Sequence, residues 1–212
     1  MNTRILALIS GRGSNLAAVV EAAHAQAWKA QWVGVISNRP QAAGLQWARD
    51  HGLHTQVLDH QAFETREAFD AALLQSCKAL QPDLVVLAGF MRVLGEPFVR
   101  HFEGRLMNIH PSLLPAFPGL HTHRRALECG VKAAGATVHY VTPTLDHGPV
   151  IAQAVVPVRA GDDEQALAER VLQAEHRLLP LAVGWHVNGE LALQSGVVHH
   201  RRGAPQVLFF NE

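Results

Sequence analysis

The apolar residues of this chain recur at two different spacings, and the change from one to the other marks out its elements. Unbroken apolar runs at 4–10 (RILALIS), 32–37 (WVGVIS) and 83–89 (DLVVLAG), with a shorter one at 54–59 (HTQVLD), read as strands, the longer three buried on both faces. Between and after them, 15–26, 42–52, 65–80 and 96–102 carry helical spacing or composition. Pro97 sits early in the last of these, where a helix tolerates it. Strand–helix alternation with buried strands predicts an α/β fold on a doubly wound, mostly parallel sheet with right-handed connections over 1–110.

Beyond 110 the pattern changes. A short helix is expected at 124–130, and 135–142 alternates in the manner of a half-buried strand. A longer strand follows at 149–158, and the turn-rich PTLDHG between the two predicts antiparallel neighbours, an antiparallel extension of the parallel half. The stretch 162–189 reads as a long helix with acidic residues in its first turn and Gly189 at its end; Pro180 is expected to kink it or to begin a second segment. One or two short strands are expected around HHRRGAP near the end. No repeat, low-complexity tract or linker divides the chain, which predicts one domain over 1–212.

Charge and cysteine content narrow the function classes. Eighteen basic residues balance eighteen acidic ones, so diffuse adhesion to nucleic acid or an anionic membrane is not expected, and an anionic ligand needs a local site. Two cysteines, Cys77 and Cys129, lie far apart and outside any CxxC pattern, which points to a reducing cytoplasm. The apolar run at the N-terminus is too short for a signal-peptide core, and no stretch reaches membrane-spanning length.

Three segments carry candidate chemistry. SGRGSNL (10–16) follows the first strand and opens a helix, so its glycines and unpaired N–H groups suit either a phosphate or a tight, Ser-capped turn. It is neither GxGxxG nor a Walker A loop. The stretch MNIHPSLLPAFPGLHTH (107–123) puts Asn108 and His110 two apart near the end of a strand, pointing the same way, with three prolines behind them. Asp146, in TPTLDHGPV, reads as a turn residue unless it reaches His110, whose charged, oriented form a carboxylate would favour. His121, His123, His199 and His200 raise the question of metal, but no HExxH or Cys/His cluster has ligand spacing, and none is expected.

ISGRGSNL, LAGFMRVL, NIHPSLLPAFPGLHTH and LDHGPVIAQ occur in an order and spacing that resembles the phosphoribosylglycinamide formyltransferases, folate-dependent enzymes of purine synthesis, over nearly the whole chain to about residue 190. The resemblance implies a formyltransferase-like variant of the dinucleotide-binding fold, with 1–110 as a nucleotide-binding half and 111–212 as a folate-binding and C-terminal half. It implies formyl transfer from 10-formyltetrahydrofolate, as co-substrate, to glycinamide ribonucleotide without a metal. Asn108, His110 and Asp146 match the catalytic trio. Gly11, Arg12, Gly13, Ser14, Asn15 and Glu175 match positions that hold the ribonucleotide. Arg66, Met91, Arg92, Val93, Leu94, Asn108, Thr142, Pro143, Thr144, Leu145 and Asp146 match positions that contact the folate. Arg12 stands where a relative has a small polar residue, and Leu172 where the family can place a glutamine.

Two other formyl-group enzymes share the Asn-x-His…Asp logic. A methionyl-tRNA formyltransferase is expected to carry a basic C-terminal domain, and a formyltetrahydrofolate deformylase an extra N-terminal one; the first strand at residue 4 and the end at 212 argue against both. A nucleotide-binding regulatory module, with Asn108, His110 and Asp146 merely structural, is the alternative from another class. A monomer or weak homodimer, free of nucleic acid and membrane, is the expected state.

Overall fold

A computed structural model describes residues 2–210, so residues 1, 211 and 212 of the expected 1–212 domain lie outside the described residues. The chain divides into two compact units, Met1–Asn108 and Ile109–Glu212.

In the first unit, strands β1 (Thr3–Ile9), β2 (Ala30–Ser37), β3 (Thr55–Val57), β4 (Leu84–Leu87) and β5 (Leu106–His110, which runs on into the second unit) lie in the order β3-β2-β1-β4-β5. Every neighbouring pair among them is parallel. The apolar runs explain this: Ile5, Leu6, Leu8, Ile9, Val35, Ile36 and Leu84 to Val86 are buried, as strands in a parallel sheet must be. Helices α1 (Ser14–Ala25), α2 (Ala43–Asp50), α3 (Arg66–Ala79) and α4 (Glu96–His101) connect the strands. Helix α3 starts where the sequence signals it, with the Thr65 hydroxyl accepting the Ala68 N–H at 3.1 Å, and buries Phe69, Asp70, Leu73 and Cys77. The strand order reverses direction between β1 and β4, and ligands of such sheets bind at the carboxyl ends beside that reversal. The segments at 10–15 and 88–95 both leave the sheet there.

In the second unit, α5 (Thr122–Glu128) precedes β6 (Ala133–Tyr140), which pairs antiparallel with β7 (Val150–Pro157) as the turn between them predicts. Helix α6 (Glu164–Val187) packs against both strands. Asp163 caps it, accepting the Ala166 N–H at 2.7 Å. One sequence expectation needs correction, and one of two alternatives at Pro180 falls away. The alternation at 135–142 suggested a half-buried strand, yet Ala134–Tyr140 are all buried, because α6 covers one face and the loop after β5 covers the other. Pro180 neither ends α6 nor starts a second segment; Leu178, Leu179, Ala182 and Val183 around it are fully buried, and that packing outweighs a lost backbone bond.

The end of the unit holds more strand than expected. Strands β8 (Leu191–Gln194) and β9 (Val197–His200) form an antiparallel pair of their own, and β10 (Val207–Phe209) runs parallel to β7. The hairpin is fixed by Gln206, whose side chain donates to the carbonyls of Ile151 and Val198 and accepts the His200 N–H. No helix among the described residues is long and apolar enough to cross a membrane.

Candidate active site

In the first unit the loop after β1 is shaped by its glycines. Gly13 has φ 78°, and a Cβ there would stand 2.6 Å from the Gly44 Cα. Gly44, which opens α2, is equally confined, since its own Cβ would meet the Gly13 Cα at 2.9 Å; its N–H donates to the Gly11 carbonyl at 3.0 Å. Two helix starts thus touch backbone to backbone, which no side chain would permit. Gly13 caps α1 with no side-chain hydrogen bond, so Ser14 is the first helical residue and not the cap that the sequence allowed. Gly11 and Arg12 are exposed, nothing lies within 4 Å of a Cβ at Gly11, and Asn15 is buried.

The segment after β4 is fastened at three points. The Ser10 hydroxyl donates to the Asn38 side-chain oxygen at 2.5 Å and accepts the Met91 N–H at 2.8 Å. Arg66 donates to the Val93 carbonyl at 2.6 Å, and the Gly95 N–H donates to Asp70 at 2.8 Å. Arg92 lies over the Phe69 ring, 4.8 Å from its centre. Held this way, Met91 and Val93 are exposed at 68% and 49%, a pair of apolar side chains offered to solvent, while Leu94 is buried. Asn108 sits near the carboxyl end of β5, paired in register with Leu87 of β4.

In the second unit the chemistry gathers on His110, the last residue of β5. Its Nδ1 lies 3.5 Å from the Asp146 carboxylate, both side chains being more than nine-tenths buried. Its Nε2 lies 3.0 Å from the Phe117 carbonyl. A ring between a carboxylate and a carbonyl satisfies both when each nitrogen carries a proton. Asp146 also accepts the Gly119 N–H at 2.8 Å, and its other oxygen faces His139 Nε2 at 3.9 Å. His139 is buried on β6, and burial pushes its imidazole below the usual range, toward the neutral form; the Tyr140 carbonyl and the Asp146 charge pull the other way, and His110 adds a smaller push down. The sequence reading passed over His139 as a strand residue, though a polar side chain inside a fully buried strand is the kind of signal that could have drawn notice.

The proline-rich loop is tied to the sheet behind it. The Thr137 hydroxyl donates to the Ser112 carbonyl at 2.7 Å and accepts the Leu114 N–H at 3.0 Å, while Gln153 donates to the Leu114 carbonyl at 2.9 Å. Ser112 donates to the Ala116 carbonyl, and Arg125 caps the Pro118 carbonyl at 2.5 Å. Phe117, His121 and Asp146 all take left-handed backbone, at φ 54°, 57° and 54°. For a bulky residue such as Phe117 that conformation is uncommon and persists only where surrounding bonds enforce it. His123 lines an apolar cavity of about 110 Å³ with Pro111, Phe117 and Thr122. Thr142 donates to the Thr144 carbonyl, and Pro143, Thr144 and Leu145 are exposed. Glu175 is buried on α6, with Leu172 half-buried one turn earlier. No group of three or more His, Cys, Asp or Glu among the described residues could hold a metal ion.

The Formyl transferase family matches residues 3–183 of the chain. Phosphoribosylglycinamide formyltransferase of Escherichia coli is 50% identical over 189 residues, 89% of either chain. A trifunctional purine biosynthetic protein of Drosophila melanogaster is also 50% identical, over 88% of this chain but only 14% of that longer protein. Among solved structures, a glycinamide ribonucleotide transformylase of Symbiobacterium toebii superposes with a TM-score of 0.90 at 45% identity over 94% of both chains.

Proposed function

The chain belongs to the formyl transferase family, and we propose that it transfers the formyl group of 10-formyltetrahydrofolate to the amine of glycinamide ribonucleotide. The observation that carries this reading is the buried His110–Asp146 pair at 3.5 Å, with His110 on the strand that carries Asn108 two residues earlier. The E. coli and S. toebii relatives, named for this reaction, support the choice of substrates.

The chemistry asks for what these residues supply. The amine attacks the formyl carbon and generates a tetrahedral intermediate with negative charge on oxygen; collapse then expels the folate nitrogen, which gains a proton as the attacking amine gives one up. Asn108 donates to the oxyanion through its amide. His110, doubly protonated, does the same and then serves as the acid; to reach the substrate its Nε2–H exchanges the Phe117 carbonyl for the oxyanion. Asp146 keeps the imidazole charged and aimed. Gly119, donating to Asp146, fixes that carboxylate in turn. No covalent intermediate and no metal enters this scheme.

The ribonucleotide phosphate is assigned to the uncapped start of α1, Gly11 to Asn15, where backbone N–H groups and the helix dipole favour an anion, and Glu175 to the glycinamide end. The folate is assigned to Arg66, Met91 to Leu94, Asn108 and the loop Thr142 to Asp146, with exposed Met91, Val93 and Leu145 as apolar contacts. On this reading 1–110 is the nucleotide-binding half and 111–212 the folate-binding and C-terminal half of one domain, working in the cytoplasm as a monomer or weak homodimer without nucleic acid or membrane. The free thiols of Cys77 and Cys129 suit that compartment.

Mixing the purified chain with 10-formyltetrahydrofolate and glycinamide ribonucleotide should release deformylated folate, followed by absorbance, only when both are present. Release without the ribonucleotide would indicate a hydrolase. Binding of the ribonucleotide with no response to folate would indicate a regulatory module.

A further inference from the structure

We propose that Asp70 is a positioning residue for the formyl donor, acting through the 91–95 segment; this rests on the reading that the segment meets the folate. Asp70 lies on the buried side of α3 among Phe69, Leu73 and Cys77, all fully buried, and is itself only 9% exposed. A carboxylate there is costly unless its partners repay the lost hydration. They do so only in part: burial raises its pKa, against the Gly95 N–H and the charges of Arg66 and Arg92, which lower it, while Glu67 adds a push upward. A carboxyl group buried in that setting is poorly explained by stability alone.

What its carboxylate does is hold the segment. One oxygen accepts the Gly95 N–H at 2.8 Å and stands 3.8 Å from Arg66 Nε, one turn back on α3. Arg66 in turn holds the Val93 carbonyl. Two of the three fastenings of 91–95 therefore pass through Asp70, the third being Ser10 on Met91. The other Asp70 oxygen and Arg92 Nε are buried with no hydrogen-bond partner, an acceptor and a donor of opposite charge both left open in this corner.

Gly95 supplies an independent mark. Its backbone, φ −69° and ψ 157°, is open to any residue. A Cβ at Gly95 would meet the Asp70 oxygen at 2.8 Å, so an alanine there has to push the carboxylate out of place.

The test compares Asp70→Asn, Gly95→Ala and the double variant by equilibrium binding of 10-formyltetrahydrofolate and of glycinamide ribonucleotide, with thermal unfolding as the check on folding. Each single change should weaken folate binding by about 10-fold and leave ribonucleotide binding within about twofold. The double variant should be no weaker than the worse single, because both changes break one contact. Unchanged folate affinity in Gly95→Ala overturns the inference, as does an equal loss for both ligands. Gly95→Ala keeps the carboxylate and decides the matter if Asp70→Asn does not fold. A wild-type chain that binds folate without transferring formyl sinks the proposed reaction and leaves this test standing; one that binds no folate sinks both.

Discussion

The two candidate loops of this protein are made rigid by opposite means. In the first unit the loop after β1 is a backbone device: Gly13 and Gly44 meet where no Cβ fits, α1 begins without a side-chain cap, and Arg12 projects into solvent. In the second unit the loop after β5 is a side-chain device. Thr137 and Gln153 pin its carbonyls and N–H groups, and Phe117 and His121, like Asp146 in the turn between β6 and β7, are held in a backbone region that glycine would occupy more cheaply. The difference fits the two tasks proposed for them. An anion can be bound by N–H groups, which every residue owns, so side chains there need only stay out of the way. Moving a proton needs an imidazole and a carboxylate, so the second loop spends backbone strain to aim particular side chains.

The largest expected effect tests the second loop. His110→Ala and Asp146→Ala should each lower kcat by about 100- to 1000-fold, with equilibrium binding of both ligands surviving within a few-fold. Near-full turnover in either variant, measured by release of deformylated folate, would mean that the pair is only structural and that the contrast between the loops is not one of task.

The next effect divides two glycines two residues apart in number and opposite in environment. Gly13→Ala should destabilise the chain by about 2 kcal/mol or more, because it combines a positive φ with an overlap on Gly44. Thermal unfolding should show a fall of about 4–8 °C. Gly11→Ala, with open space around it, should leave the melting temperature within about a degree. If both melt alike, the glycines of this loop do not divide into a structural and an exposed position.

These contrasts explain what could be read from the chain beforehand. The buried strands, the helices over 65–80 and 162–189 and the antiparallel turn were legible because each is written in neighbouring residues. The same holds for His110 with Asn108, two apart on one strand. Illegible were the contacts made across the sequence: Gly44 against Gly13, Ser10 on Asn38 and Met91, Asp70 under Gly95, Thr137 under Ser112. Strand β10 belongs with these, since nothing local says that it will run beside β7. Pro180 begins no second segment for the reverse reason: its local signal was clear, and packing keeps α6 continuous through it.

A smaller effect concerns the second unit at its α6 start, where Asp162 takes two hydrogen bonds from Arg170, at 2.7 and 2.8 Å, and one from the Arg159 N–H at 2.7 Å. The Arg170 bonds foremost hold the carboxyl at about 2. Since the folded value lies below the unfolded one of about 3.9, this contribution is complete above about pH 4 and is lost as pH falls toward 2. Asp162→Asn should lower stability at pH 7 by about 1 kcal/mol, read as about 2–4 °C, and should flatten the fall in melting temperature between pH 4 and pH 2. A variant whose acid limb matches the wild type would show that other carboxylates set it.

The smallest effect returns to the first loop. Arg12 is exposed, and its guanidinium makes no hydrogen bond among the described residues, so the backbone account of phosphate binding gives its side chain only a screened, long-range attraction. Arg12→Ala should therefore raise the KM for glycinamide ribonucleotide by no more than about threefold at 0.15 M salt, with the difference shrinking as salt is added. The folate KM and kcat should not move. A loss of 30-fold or more, on the order of a direct charged contact, would show that the guanidinium folds onto the phosphate when ligand binds. The first loop would then also work through a side chain, and the division between the two loops would be one of degree.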